Sequence, residues 1–238
     1  MKISQLAIFS LLILTISFNC NNKTIDEVIE VMPPEKEKVI KYLALGDSYT
    51  IGESVNVSER YPIQLSEKLI NDNIDVDTTI IIAKTGWRTD NLIDAIEAAK
   101  LTDTFDLVTL LIGVNNQYQR RPIAQYESEF DQLLNTAIRF AGGDISKVVV
   151  LSIPDYGYTP FGKSKQATIS AEIDQYNAIN KRITEQYEIS WFDITPISRE
   201  AINNPALVAA DGLHPSGEMY RQWVELIYES VKGKLNLD

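Results

Sequence analysis

Residues that most often carry metal and redox chemistry are scarce here: 238 residues include one cysteine, Cys20, and one histidine, His214. A lone cysteine excludes an intramolecular disulfide. One histidine with one cysteine cannot assemble a nitrogen and sulfur zinc site within the chain, and no other pattern points to a metal or a cofactor. Positive charge is short as well, with 22 Lys and Arg against 33 Asp and Glu. Phosphate backbones are bound by clustered cations, so this balance argues against a nucleic-acid partner. Internal repeats and low-complexity tracts are absent too.

The one long apolar run, "LAIFSLLILTISF", lies near the start behind Lys2. This is the layout of a secretory signal over residues 1–20, and it falls short of the roughly 20 apolar residues that span a bilayer. Cys20 closes the run in "ISFNC", which resembles a bacterial lipoprotein cleavage box with Ser17 where Leu is usual and Asn19 where Gly, Ala or Ser is usual. Cys20 is therefore the expected lipid-attachment site, making the protein an exported lipoprotein held at the membrane; a cleaved signal with a leftover thiol is the alternative. Residues 21–38, polar, charged and broken by Pro33 and Pro34, read as a flexible linker. Residues 39–238 read as one folded domain, with hydrophobic content enough for a substantial core.

Within that domain, short β-branched runs alternate with longer helical patterns. Strands are expected over Val39 to Gly46, Val76 to Ala83, Asp106 to Gly113, Lys147 to Pro154 and Ile189 to Ile194, with helical periodicity between them and again from Gly217 onward. Continuous apolar strands need cover on both faces, which predicts a three-layer α/β/α sandwich on a mainly parallel five-stranded sheet, the flavodoxin-like arrangement. Ligands in such sheets sit beyond the carboxyl ends of the strands. The segments there are Gly46-Asp47-Ser48, Lys84 to Trp87, Gly113 to Asn116 and Pro154 to Tyr156.

"LALGDSYTIGES" breaks from an apolar run onto Ser48. A serine hydroxyl attacks an ester only with a base that takes its proton near neutral pH, and His214 is the one imidazole available. Asp211, three residues earlier, is in reach of the imidazole N–H, although an isolated Asp-x-x-His can equally be a loop that caps its own backbone. The Asn115 side chain and the N–H groups of Gly86 and Ser48 are candidate donors to an oxyanion; Gly86 alone reads as a turn residue. Asp47 reads as structural, bonding nearby backbone. A helix after the strand would place Ser48 at its N-terminus, where N–H dipoles favour negative charge.

Taken together, "GDSYT" at Ser48, the post-strand Gly86, "GVNN" at Gly113 to Asn116 and "DGLH" at Asp211 to His214 resemble the four blocks of the SGNH hydrolases, also called GDSL esterases and lipases. The resemblance runs from about Tyr42 to the C-terminus. It implies Ser48 as nucleophile, His214 as base, Asp211 as its orienting partner, and an oxyanion hole of Ser48, Gly86 and Asn115. It further implies a small-molecule ester substrate: an acetylated carbohydrate, a lysophospholipid or a short-chain acyl ester. One departure is visible: the third block usually ends in Asp, and here Asn116 stands in its place.

"GYTPFGKS", Gly157 to Ser164, also matches the phosphate-loop pattern. Pro160 lacks an N–H and Tyr158 and Phe161 are bulky for an anion cradle, so nucleotide binding is the weaker alternative and a substrate-side loop the preferred reading. A non-catalytic carbohydrate- or lipid-binding module on the same fold is the other alternative. Trp87, Tyr118, Tyr156 and Tyr158 are candidate pocket residues. Arg88, Arg120 and Arg121 are candidates to attract an anionic substrate, against the simpler reading that they are solvated or paired.

Overall fold

Five strands, β1 (Ile40–Gly46), β2 (Val76–Ala83), β3 (Leu107–Leu111), β4 (Val148–Leu151) and β5 (Ser190–Phe192), pair in the order β2-β1-β3-β4-β5 in the computed structural model. The structure describes residues 39–235; the signal expected over 1–20, Cys20 and the linker over 21–38 lie outside them. Every strand pairing is parallel. Each strand falls inside a run expected from sequence, but β3, β4 and β5 stop two, three and two residues short of its end. Gly113 adopts φ 132°, which ends the extended path and releases the following residues into the loops that carry the site.

The connections are α1 (Ser48–Ile51), α2 (Tyr61–Asn71), α3 (Thr89–Ala99), α4 (Val114–Tyr118), α5 (Ile123–Phe140), α6 (Gln166–Gln186), α7 (Thr195–Arg199) and α8 (Gly217–Lys234). A right-handed crossover from β1 to β2 runs one way along the sheet, whereas those from β2 to β3, β3 to β4 and β4 to β5 run the other way. Helices α2 and α8 accordingly pack together on one face and α3, α5 and α6 on the other.

Strands β3 and β4 are wholly buried, which is why they carry Leu and Val almost without interruption, while the edge strands β2 and β5 are half-buried and admit Thr78, Thr79 and Ser190. Helix α5 buries Tyr126, Phe130, Leu133, Leu134 and Ala137, a stripe at three- and four-residue spacing. Each such leucine contributes about 1.5–3 kcal/mol by leaving water. Under the other face, the Trp223 ring meets Tyr220 at 5.0 Å and Tyr61 at 6.2 Å. It also meets Tyr49 at 6.4 Å, and Tyr49 in turn touches His214, so the core reaches directly to the site.

Candidate active site

Strand β1 can turn sharply at its end because residue 46 is glycine: a Cβ there would lie 2.1 Å from Thr50 Oγ1 and 2.4 Å from the Leu111 carbonyl. Asp47 follows as a buried N-cap whose Oδ1 accepts the Tyr49 N–H at 3.0 Å. Ser48 is the first residue of α1, which lasts one turn before Gly52 closes it at φ 69°. The helix expected behind the serine is therefore too short for a developed macrodipole. What the turn presents is the Ser48 N–H itself, which has no protein acceptor among the described residues.

Two more loops deliver donors. Gly86, after β2, sits at φ 83°, a left-handed turn that glycine makes without strain, and its N–H has no protein acceptor among the described residues. Asn115, in the first residues of α4, donates one amide hydrogen to the Trp87 carbonyl at 2.9 Å, which fixes the amide plane and leaves the second hydrogen unspent.

The acid–base pair comes from the loop before α8. Asp211 Oδ2 lies 2.6 Å from His214 Nδ1, and Oδ1 accepts the N–H groups of Leu213 at 2.9 Å and His214 at 3.0 Å. The loop is closed behind the ring by Ala209 N–H to the His214 carbonyl at 2.8 Å and Ser216 N–H to the Leu207 carbonyl at 2.8 Å. Burial alone would push the Asp211 carboxyl up, but the hydrogen bonds from the His214 ring, the two N–H groups and Ser54 outweigh it and hold the group well below the usual carboxylate range. An ionised Asp211 fixes the imidazole with Nδ1–H toward itself and leaves Nε2 as the basic atom.

Ser48, Gly86, Asn115 and His214 line one cavity of about 310 Å³ at the carboxyl ends of the strands. The Ser48 hydroxyl forms no hydrogen bond to the ring here; such contacts commonly tighten only around substrate. Tyr118 and Tyr156 also line the cavity, as expected from sequence. Two other expected wall residues do not. Trp87 packs half-buried against the core and offers its carbonyl to Asn115, and Tyr158 faces a separate groove of about 390 Å³ beside Arg199. In their place stand Phe161, Leu213 and Tyr49, side chains that sequence reasoning passed over.

Of the three arginines, Arg88 is paired with Asp90 at 2.7 Å and bonded to Gln119 at 2.6 Å. Arg120 lines a neighbouring chamber, and Arg121 lines neither. The phosphate-loop reading of Gly157 to Ser164 fails on its donors. The N–H groups of Gly157, Thr159, Phe161, Gly162 and Lys163 go to Asp155, Tyr156, Gly212 and twice to Thr159, so the segment holds no backbone cradle for an anion. Asn116 is buried away from the cavity, accepting the Thr89 N–H at 3.1 Å and donating to Thr89 Oγ1 at 2.6 Å. Its replacement of the usual aspartate thus acts on the start of α3. Asp47 bonds backbone, as expected, and burial lifts its carboxyl to about 7 against the hydrogen bonds that lower it.

Among the described residues no group of three His, Cys, Asp or Glu side chains is placed to hold a metal ion, and no helix is long and apolar enough to cross a membrane.

Solved structures of other proteins share this fold. The chain is similar in structure to psychrotrophic esterase EstA from Pseudoalteromonas sp., at TM-score 0.64 and 16% identity over 83% of this chain and 99% of that one. A lipase/acylhydrolase from Enterococcus faecalis aligns at TM-score 0.63 and 20% identity, covering 84% and 99%. Axe2, an acetylxylan esterase from Geobacillus stearothermophilus, aligns at TM-score 0.63 and 17% identity, covering 86% and 98%. At these identities the likenesses establish the fold. No curated protein sequence matches the chain. The model of the GDSL-like Lipase/Acylhydrolase family matches residues 44–222, from inside β1 to inside α8, and so takes in all the loops that line the cavity. The chain therefore belongs to the GDSL-like lipase/acylhydrolase family and is a carboxylic ester hydrolase.

Proposed function

We propose that the protein cleaves its ester through a covalent acyl-serine intermediate. Ser48 Oγ attacks the carbonyl carbon as His214 Nε2 takes the hydroxyl proton, and the carbonyl electrons move onto oxygen. That oxyanion is met by the N–H groups of Ser48 and Gly86 and the unspent hydrogen of the Asn115 amide. Its collapse expels the alcohol, which leaves with the proton from His214. Water, deprotonated by the same ring, attacks the acyl-serine and releases the acid. Asp211 stays ionised throughout and stabilises the imidazolium formed in each half.

The observation that carries this reading is the delivery of Ser48, Gly86, Asn115 and the Asp211–His214 pair to one cavity from four separate loops. Residues 21–238 should hydrolyse 4-nitrophenyl acetate and be labelled by a fluorophosphonate, and Ser48→Ala should lose both. A wild-type protein that neither turns over the ester nor takes the label would instead be a binding module. For substrates the reading covers acetylated carbohydrates, lysophospholipids and short-chain esters, of which only the first matches what the name of Axe2 states for that protein. A panel of all three ranks them.

The same proposal places the enzyme outside the cytoplasm, tethered through a lipid on Cys20 with residues 21–38 as spacer. Support comes from the apolar run behind Lys2 and the position of Cys20 at its end. Incorporation of labelled palmitate by the full chain, lost in Cys20→Ala, tests it.

A further inference from the structure

A second chamber, also about 310 Å³, adjoins the cavity that holds Ser48. The two share three walls, Tyr118, Tyr156 and Phe161. These rings form one cluster, with Tyr118 6.1 Å from both Tyr156 and Phe161, and Tyr156 6.2 Å from Phe161. Tyr118 and Phe161 are 55% and 51% exposed, unusual for large aromatics, and they stand side by side. Both residues line both chambers.

Beyond the rings the lining changes character. The residues that border only the second chamber are Gly162, Ile169 and six polar ones, Gln117, Arg120, Ser164, Lys165, Thr168 and Glu172. Tyr156 OH donates to Gln117 Oε1 at 3.0 Å, and Gln117 Nε2 donates to Glu172 Oε2 at 2.5 Å, so the aromatic wall and the carboxylate form one braced unit. Arg120 and Lys165 have no ion-pair partner among the described residues.

An alkyl chain laid into this chamber would strip water from Arg120, Lys165 and Glu172 without replacing it, a cost that disfavours lipid there. A polyhydroxylated ring matches both surfaces. Its C–H face covers the aromatic rings, and its hydroxyls, donors and acceptors at once, satisfy carboxylate, amide, guanidinium and ammonium together.

Resting on the catalytic reading above, we propose that the second chamber binds the alcohol half of the substrate and that this half is a sugar, the acyl group being held at Ser48. The chamber then contributes to binding of acylated sugars and has no part in turnover of small activated esters, which fit within the first cavity.

The test compares kcat/KM for a mono-O-acetylated disaccharide, 4-nitrophenyl acetate and a long-chain monoacylglycerol in the wild-type protein, in Glu172→Ala and in Lys165→Ala. The expected result is that each substitution lowers the ratio of acetyl-disaccharide to 4-nitrophenyl acetate kcat/KM tenfold or more, chiefly through KM. Unchanged ratios, or a preference for the monoacylglycerol over the disaccharide ester, overturn the proposal. Should either variant fold poorly, titration of unacetylated disaccharide into the Ser48→Ala protein gives the same decision: millimolar or tighter binding supports it and undetectable binding overturns it. Failure of the catalytic reading is separate, because it shows as absence of 4-nitrophenyl acetate turnover in the wild-type protein.

Discussion

Ser54 donates a 2.7 Å hydrogen bond to Oδ2 of Asp211, the carboxylate oxygen that also faces the His214 ring, across 157 residues of sequence. Its neighbour Glu53 bonds Thr85, next to Gly86. Two consecutive residues after α1 thus tie the serine loop to the loop of the base and to the loop of an oxyanion donor. Ser54 holds φ 65°, so Ser54→Gly removes the hydroxyl without straining the backbone. It should lower kcat about three- to tenfold and leave KM nearly unchanged, since a bond to an exposed carboxylate contributes about 1 kcal/mol. Equal kcat in the variant and the parent would show that Asp211 needs no such support.

Asn115→Ala removes an oxyanion donor from a position the Trp87 carbonyl keeps fixed. Turnover of 4-nitrophenyl acetate should fall by about a hundredfold or more, with the melting temperature little changed. A variant as active as the parent would falsify the assigned role.

Asn116 explains its own departure from the family pattern. The Thr89 N–H must face Oδ1, so Nδ2 faces Thr89 Oγ1, whose own hydrogen goes to Glu129. An aspartate here would set two carboxylates competing for one hydroxyl hydrogen. Asn116→Asp should therefore cost about 1–3 kcal/mol in urea unfolding, and adding Glu129→Gln, which can donate to the hydroxyl, should recover much of it. A neutral Asn116→Asp would refute this donor order.

Asp47 carries a pH dependence of stability. Its carboxyl is lifted from an ordinary value near 3.8 to about 7 by burial, which outweighs the backbone N–H groups that bond it. Between these values the folded chain holds a proton that the unfolded chain has released, so stability falls as pH rises from about 4 to about 7 and levels off above. Asp47→Asn should flatten that fall in melting temperature. A slope identical to that of the wild type would place the titration on another group.

Strand positions and the five longer helices were legible in the sequence because burial on both faces enforces apolar runs and burial on one face enforces a helical period. Ser48, Gly86, Asn115 and His214 were legible as neighbours because each follows a strand or lies in a polar loop, and parallel topology gathers those loops at one end. Wall residues were not. The course of the chain from β4 to α6 is set by contacts without a period, such as Asp155 with Arg199 at 3.0 Å and the Phe161 N–H to the Gly212 carbonyl at 3.0 Å. Those ties bring Phe161 to the cavity and leave Tyr158 outside it, and they join residues far apart in sequence. Position after a strand says that Trp87 is near the site, but not which way its ring turns.

In an all-parallel sheet no site residue is joined to another by a short hairpin: Ser48, Gly86 and Asn115 each follow a different strand, and the Asp211–His214 pair comes last, beyond β5. The complete centre needs nearly the whole domain, because the nucleophile follows β1 and its base follows β5. Ester turnover is then a faithful gauge of complete folding, and in a denaturant titration it should disappear together with the helical signal rather than ahead of it.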